Sequence, residues 1–220
     1  MITIYGVHRS RASRNIWLCN ELGVPFEIKP VIQAYRLMDR PPGIPPMNTR
    51  SPEFLRLNPL AQIPVVTDGA LVLTESLAIN LYLAARYGVA SGLGPADIEE
   101  NALMTMWSFR AATEFEDRCL DVLQHRASLP PEERDPSVAM MAEAVLRDRF
   151  PIIDAALART GWLVGGRFTV ADLNVAEVLR YALPAQGLFD DNPRVRAWIE
   201  ACHARPAFQA MWKAREAEPA

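Results

Sequence analysis

Strand-like patterns are confined to the first 87 residues of this chain, and beyond them the sequence is patterned as helix. Apolar and polar side chains alternate over residues 2–5, as in a half-buried strand. A helical pattern follows over 13–22 and ends at Gly23, and residues 26–32 are patterned as a second strand. Because two strands joined through a helix usually pair in parallel, the chain is predicted to begin with a β-α-β unit.

A hairpin and a further helix complete this α/β half. Two apolar runs flank Asp68-Gly69, which is typical of a tight hairpin turn whose central residues need positive φ. A strong helical pattern then covers residues 75–87. The stretch 41–52 before the hairpin holds five prolines, which exclude a regular element there, although 52–57 could add a short helical turn.

From about residue 96 onward the pattern indicates helices alone, and the segment YGVASGLGP at 87–95 marks the change. Five helices are predicted, at 97–126, 137–159, 169–182, 193–204 and 206–216. The predicted organisation is an α/β domain at 1–87, a linker at 88–95 and an all-helical domain at 96–220.

Composition excludes several classes of function. The 23 basic and 26 acidic residues give a net charge of −3, so the chain lacks the excess of basic residues that is typical of nucleic-acid-binding proteins. No uninterrupted apolar stretch of about 18 residues exists, so no membrane partner is predicted, and the N-terminus lacks the apolar segment of a secretory signal. The cysteines and histidines show no metal-ligand spacing. Cys19, Cys119 and Cys202 are therefore expected to be reduced, buried thiols in a cytoplasmic protein without a metal.

The turn after the first strand is a candidate anion site. Ser10 opens the first helix, whose N-terminus presents free N–H groups and a partial positive charge. Ser10 could donate its hydroxyl proton to an anion, and Arg9, Arg11 and Arg14 add positive charge nearby. The alternative is that Ser10 or Ser13 only caps the helix, and Ser13 lies nearer the apolar run. A redox fold of this type would carry Cys-x-x-Cys at this turn, so any thiol must arrive with the ligand.

Two further short segments could bind a peptide-like ligand. A cis bond between Ile63 and Pro64 would leave the N–H and C=O of Ile63 free for an extended peptide, whereas a trans bond would only begin an edge strand. In Thr74-Glu75-Ser76, the hydroxyl and N–H of Ser76 could hold a carboxylate, and Glu75 could accept from an ammonium group. The alternative for this segment is an ordinary helix start capped by Thr74.

Three segments give the chain a resemblance to the cytosolic glutathione S-transferases, and the helical remainder is similar to that family's second domain. The segments are YGVHRSRASRNIWLCNELGVPFE at 5–27, SPEFLRLNPLAQIPVV at 51–66 and LTESLAINLYLAARYG at 73–88, with GWLVGGRFTVADLNVAEVL at 161–179 in the remainder. In the last segment, Thr169 and Asp172 form a structural capping box, with Phe168 and Leu173 as its hydrophobic staple. The resemblance covers essentially the whole chain. It implies a thioredoxin-like first domain, with glutathione bound in the cleft between the domains.

The resemblance also implies roles for the candidate residues. Ser10 matches the catalytic serine of the serine-type classes, in the pattern Ser-x-x-Ser/Thr-Arg, as in a theta/phi-like, bacterial-style member. Ile63 matches the residue that pairs with the cysteinyl backbone of glutathione, and Pro64 matches the cis-proline after it. Glu75 and Ser76 match the pair that binds the γ-glutamyl head. Contacts at the glycyl end are implied for Gln62 and for one of Arg40, Asn48 and Arg50.

Other classes of the family match this sequence less well. Tyr5 lies within the first strand, before the turn, whereas Ser10 stands at the place expected for the catalytic residue. Cys19 falls in the middle of a helix, which argues against the cysteine-type classes. Zeta-type isomerases carry Ser-Ser-Cys where this chain has Ser10-Arg11-Ala12, so isomerisation of maleyl compounds is not expected.

The resemblance implies a detoxification enzyme that activates the thiolate of glutathione, its co-substrate, for attack on a small hydrophobic electrophile. The alternative is a non-catalytic, glutathione-transferase-like binding or regulatory protein, but the complete set of Ser10, Glu75 and Ser76 favours the enzyme. Family members usually form dimers, so a homodimer is expected. Residues spaced along one face of the first long helix are candidates for the electrophile pocket, or equally for an interdomain core or a dimer contact. They are Met106, Phe109, Arg110 and Thr113.

Overall fold

A computed structural model describes residues 1–37 and 47–218 of the chain. Contacts between residues divide it into two units, Met1–Tyr87 with Pro206–Ala220, and Gly88–Arg205. The sequence pattern assigns 206–220 to the helical domain, but in the structure the described part of this segment belongs to the first unit. Each unit is built around its own buried core.

The first unit contains a mixed β-sheet with the strand order β2-β1-β3-β4. Its strands are β1 (Ile2–Tyr5), β2 (Phe26–Lys29), β3 (Val65–Asp68) and β4 (Leu71–Thr74). Strand β1 pairs in parallel with β2 and antiparallel with β3, and β3 pairs antiparallel with β4. The predicted parallel β-α-β unit and the predicted hairpin are therefore both confirmed.

The hairpin turn lies one residue later than predicted. Asp68 still pairs with Leu71, so the central residues of the turn are Gly69 and Ala70. Gly69 has φ +60, whereas Ala70 is not among the residues with positive φ. This matches a turn in which only the first central position needs the left-handed region, and glycine supplies it at no steric cost. The carboxylate of Asp68 instead accepts hydrogen bonds from two tyrosine hydroxyls of the following helix, those of Tyr82 and Tyr87.

Helices from both ends of the chain belong to this unit. They are α1 (Ala12–Leu22), α2 (Pro52–Leu55), α3 (Ser76–Tyr87) and, far along the sequence, α10 (Pro206–Ala217). Gly23 ends α1 in the left-handed conformation, as predicted. The ring of Trp17 in α1 is buried and meets the ring of Phe208 in α10 edge-on, at 4.9 Å between centroids. Burial of these large rings against each other explains why α10 belongs to the first unit.

The second unit is made of helices that are joined by short turns. They are α4 (Ile98–Arg110), α5 (Glu116–Leu123), α6 (Pro136–Leu157), α7 (Val170–Leu179), α8 (Gln186–Asp190) and α9 (Pro193–His203). The helix predicted at 97–126 is interrupted by a single wide π-helical turn, Ala111–Phe115, and a second such turn, Gln124–Ser128, follows α5. None of the described helices combines the length and the apolar character needed to cross a membrane.

The predicted capping box at the start of α7 is confirmed. The hydroxyl of Thr169 accepts from a backbone N–H of the first turn, and the carboxylate of Asp172 accepts from the N–H of Thr169 at 2.9 Å. Asp172 also accepts from the N–H of Leu163 at 3.0 Å and from the indole N–H of Trp198 at 2.9 Å. Burial raises the pKa of Asp172 to about 6, against the lowering effect of these donors. This carboxylate therefore connects elements of the second unit.

Candidate functional site

Ser10 lies at the turn between β1 and α1, and its hydroxyl completes the start of the helix. Its Oγ accepts a hydrogen bond from the N–H of Ala12 at 3.1 Å and donates to the C=O of Val7 at 2.7 Å. Ser13 lies inside α1 and is buried, so the expectation that it would be the better cap is wrong. The physical reason is that α1 begins at Ala12, one residue earlier than the apolar pattern suggests. Ser10 thus presents a half-buried hydroxyl at a helix N-terminus.

Gly6 brings the turn close to the strand that follows Pro64. A Cβ at Gly6 would lie 2.7 Å from the Cβ of Ala12, which is closer than real side chains pack. The same position is 3.7 Å from Oγ of Ser10 and 3.9 Å from Cβ of Ile63. Only glycine allows this approach, and both Ser10 and Ile63 lie close to Gly6.

The Ile63–Pro64 bond is cis, as the resemblance implies. Pro64 is buried, and the side chain of Ile63 packs against a small apolar cluster that includes Phe54 and Val65. Within the described part of the chain, the N–H and C=O of Ile63 have no hydrogen-bond partner. Gln62 is exposed, and its C=O accepts from the side-chain amide of Asn58 at 2.8 Å. A strand-like ligand could therefore pair with the backbone of Ile63.

Glu75 and Ser76 mark the start of α3, but not in the manner of an ordinary helix cap. Thr74 belongs to β4, and Glu75 lies outside the helix with φ +67, so the alternative of a Thr74 cap is wrong. A side chain at positive φ is disfavoured, and such conformations are concentrated at functional sites. The Glu75 carboxylate is exposed, whereas Ser76 is buried at the first position of the helix.

A buried polar network links the start of α3 to α1. The guanidinium of Arg14, 1% exposed, donates to Oγ of Ser76 at 3.0 Å. The side-chain amide of Asn15 donates to the C=O of Ser76 at 2.9 Å and to Oδ1 of Asn80 at 2.7 Å. The sequence argument missed this network, although polar residues inside the apolar patterns of both helices were a signal of it.

The three arginines of the turn, which the sequence argument expected to add positive charge near Ser10, have different surroundings. Arg14 is directed to Ser76, Arg11 is exposed, and Nε of Arg9 donates to the C=O of Arg215 in α10 at 3.2 Å. The helix N-terminus and the hydroxyl of Ser10 are therefore the candidate anion-binding groups of this turn.

The residues proposed for the glycyl end are only partly covered by the structure. Arg40 lies outside the described residues, as do the prolines at 41–46. The side chain of Asn48 accepts from the N–H of Arg50 at 2.9 Å, in the turn that leads into α2. Arg50 is exposed, and the contact to a glycyl carboxylate stays a prediction for all three residues.

The cysteines take no part in this site. All three are free and buried, as expected. Burial raises the pKa of Cys19 to about 12 and raises that of Cys119 as well, so neither thiol ionises at neutral pH. Among the described residues, no group of cysteine, histidine and acidic side chains is arranged to hold a metal ion.

A pocket of about 430 Å³ lies within the second unit, along α4 and the wide turn after it. All four residues proposed for the electrophile pocket contribute to it: Met106, Phe109, Arg110 and Thr113. The remaining lining comes from Glu114, Phe115, Arg149 and Ile152. The ring of Phe109 is 64% exposed, and the Arg110 guanidinium lies over the Trp107 ring at 5.2 Å from its centroid. The pocket is thus largely apolar, with Arg110 and the ion pair between Arg149 and Glu114 (3.2 Å) at its wall.

Comparisons with known proteins identify the family of this chain. Residues 9–86 match the family model "Glutathione S-transferase, N-terminal domain", and residues 121–206 match "Glutathione S-transferase, C-terminal domain". The chain is 34% identical over 215 residues to Glutathione S-transferase 3 of Zea mays, covering 94% of this chain and 91% of that protein. It is 31% identical over 188 residues to Glutathione S-transferase theta-1 of Bos taurus, covering 77% and 76%.

Solved structures give the same result. The crystal structure of the theta class glutathione S-transferase from Xanthomonas axonopodis pv. citri, with glutathione bound, is similar with a TM-score of 0.77 and 30% identity over 95% of each chain. The similarity extends over both units, and the relatives are transferases. This chain therefore belongs to the glutathione S-transferase family.

Proposed function

We propose that this chain binds glutathione at the N-termini of α1 and α3 and that Ser10 stabilises its thiolate for attack on a small hydrophobic electrophile. The observation that supports this most directly is the hydroxyl of Ser10, which the N–H of Ala12 holds at the start of α1, beside Ile63. A helix N-terminus favours an anion, and a hydroxyl donor adds a directed hydrogen bond.

The chemistry at Ser10 begins with the thiol of glutathione. A free thiol has a pKa of about 8.5, so only a few per cent is ionised at neutral pH. On binding, the Ser10 O–H turns from the C=O of Val7 to the sulfur, while Ala12 continues to donate to Oγ. A fall of about two pKa units corresponds to about 2.7 kcal/mol in favour of the thiolate, and the thiol proton leaves to solvent. The thiolate then forms a bond to carbon as the leaving group departs.

The rest of glutathione has a partner for each of its polar ends. The cysteinyl backbone pairs with the N–H and C=O of Ile63, next to the buried Pro64. The γ-glutamyl carboxylate meets the hydroxyl of Ser76 and the free N–H groups of α3, and the ammonium group meets the exposed carboxylate of Glu75. At the glycyl end, the assignment is to Gln62 with Arg40, Asn48 or Arg50.

The electrophile is assigned to the pocket of the second unit. Met106 and Phe109 offer apolar surface, Thr113 a hydroxyl, and Arg110 a positive charge beside the Trp107 ring. A volume of about 430 Å³ suits a single aromatic ring with small substituents.

The assembly and the location of the enzyme are assigned from the edge strand of the sheet and from the free cysteines. Strand β4 lies at an edge of the sheet, and its Leu71 and Val72 are 40% and 43% exposed. An apolar edge of this kind suits association with a second copy, so we assign a homodimer. Free cysteines fit a reducing compartment, so we assign the cytoplasm and a role in detoxification there.

The test is the conjugation of glutathione to 1-chloro-2,4-dinitrobenzene by wild type and by Ser10→Ala, with glutathione binding measured separately by calorimetry. Wild type should turn over, and Ser10→Ala should be slower by about tenfold or more while it still binds glutathione. Ser13→Ala is the matched control, since it removes a hydroxyl one turn away from the same site, and it should keep the wild-type rate. An equal rate in Ser10→Ala would remove Ser10 from the mechanism. Binding without turnover of chlorides, peroxides or aryl ethers would support the non-catalytic alternative instead.

A further inference from the structure

The two residues that precede Ser10 in the turn are held by the end of α10. The carboxylate of Glu218 accepts from the N–H of His8 at 3.0 Å through Oε1 and from the N–H of Arg9 at 2.7 Å through Oε2. The guanidinium of Arg215 donates to the C=O of His8, and the C=O of Arg215 accepts from Nε of Arg9. Both polar backbone groups of His8 are thus bound by residues more than 200 positions away.

The peptide group between Val7 and His8 connects these contacts to Ser10. A trans peptide is planar, and its N–H and C=O point in opposite directions. Glu218 takes the N–H of this group, and the hydroxyl of Ser10 donates to its C=O at 2.7 Å. A rotation of the peptide plane would break both bonds together, so Glu218 fixes the backbone conformation of the turn that carries Ser10.

The packing of α10 on α1 brings Glu218 to the turn. Helix α10 packs on α1 through Phe208, whose ring stacks on that of Trp212 at 5.6 Å between centroids. Arg215 lies in the last turn of α10 and Glu218 follows the helix directly, and both side chains bond to the backbone of His8. The side chains of His8 and Glu218 are only 20% and 23% exposed, so water competes weakly for these bonds.

We propose that Arg215 and Glu218 form a C-terminal latch that positions Ser10 for the thiolate of glutathione. The inference rests on the proposed role of Ser10 and adds Glu218 as a positioning residue that does not touch the substrate. Without the carboxylate, the turn can take other conformations, and the hydroxyl meets the sulfur in only a fraction of them.

The first test compares Glu218→Ala with Glu216→Ala. Glu216 lies on the same helix and carries the same charge, but its carboxylate accepts from Nε1 of Trp212 at 2.9 Å and not from the turn. Glu218→Ala should lower kcat/KM for 1-chloro-2,4-dinitrobenzene about tenfold and raise the pKa of the bound thiol by about one unit. Glu216→Ala should leave both values unchanged. Glu218→Gln keeps one acceptor oxygen, so its kcat/KM and its thiol pKa should lie between those of the two alanine variants. It also tests the proposal if Glu218→Ala does not fold.

The second test separates positioning from general stability. If Glu218 acts through Ser10, then adding Glu218→Ala to Ser10→Ala should cause no further loss of rate, because the two effects are not additive. The same loss in both backgrounds, or a Glu218→Ala enzyme with the wild-type thiol pKa, would overturn the latch. If Ser10→Ala loses activity and Glu218→Ala does not, only the latch fails. If Ser10→Ala keeps full activity, the proposed function of Ser10 fails first.

Discussion

Glu75 holds the least favourable backbone conformation among the residues assigned to glutathione. Its φ of +67 lies in the left-handed region, which costs a side chain about 1–2 kcal/mol relative to glycine. The residue is exposed, so packing of its side chain does not compensate for this conformation. A glycine would fit the backbone better, which suggests that the carboxylate is retained for a ligand.

Replacing Glu75 should therefore separate stability from binding. Glu75→Gly should leave the free energy of unfolding unchanged or raise it by up to about 1 kcal/mol, while glutathione binds about tenfold more weakly. Glu75→Gln is the matched variant, because it loses the charge but keeps the strained backbone. Urea unfolding and calorimetry give the two quantities. A Glu75→Gly protein that binds glutathione as tightly as wild type would exclude the carboxylate from the site.

At the level of elements, the ion pair between Glu100 and Arg167 joins the start of α4 to the loop before α7. The Glu100 carboxylate accepts from both terminal nitrogens of Arg167, at 2.8 and 2.6 Å, and from the N–H of Ala96 at 2.9 Å. These bonds, the Arg167 pair foremost, lower the pKa of Glu100 to about 2. The guanidinium also donates to the C=O of Gly92 and of Gly94.

Protonation of Glu100 should account for part of the loss of stability in acid. The pKa of Glu100 is lower in the folded state, about 2, than the ordinary value of 4.5. The contribution of the ion pair to the free energy of unfolding is therefore complete at pH values above 4.5, and it is lost as the pH falls towards about 2. Glu100→Gln should be less stable than wild type at neutral pH and should lose less stability over that acid range. Unfolding curves measured across the range test this, with Glu99→Gln as the control for loss of charge on an exposed neighbour. Parallel pH profiles for wild type and Glu100→Gln would contradict it.

The sequence predicted most elements because their apolar patterns are local. It missed α8, since a helix of five residues is too short to show a period. It also missed the wide turn at Ala111–Phe115, because one extra residue per turn leaves the apolar pattern almost intact. The start of α1 at Ala12 was displaced for a related reason, as its first turn carries little apolar pattern.

At the level of the whole molecule, the site depends on contacts between distant parts of the chain. Ser10, Ile63, Glu75 and Ser76 each had a local signal, and the resemblance to a family gave them their roles. The bond between Arg14 and Ser76 spans 62 positions, and that between His8 and Glu218 spans 210. Polar residues inside the helical patterns signal a buried partner for Arg14, but no periodicity or motif identifies that partner, and none indicates the contact between His8 and Glu218. The assignment of α10 to the second half was wrong for the same reason.

The central claim is that the folded chain ionises the thiol of bound glutathione through Ser10. The most direct measurement is the ultraviolet difference absorbance of bound thiolate, titrated against pH for wild type, for Ser10→Ala and for free glutathione. We expect a thiol pKa in wild type about two units below the free value of about 8.5, and a value about one unit higher than wild type in Ser10→Ala, where only the helix N-terminus acts on the thiolate. A wild-type complex whose thiol titrates like free glutathione would contradict the account, and so would a Ser10→Ala complex whose thiol pKa is the same as that of wild type.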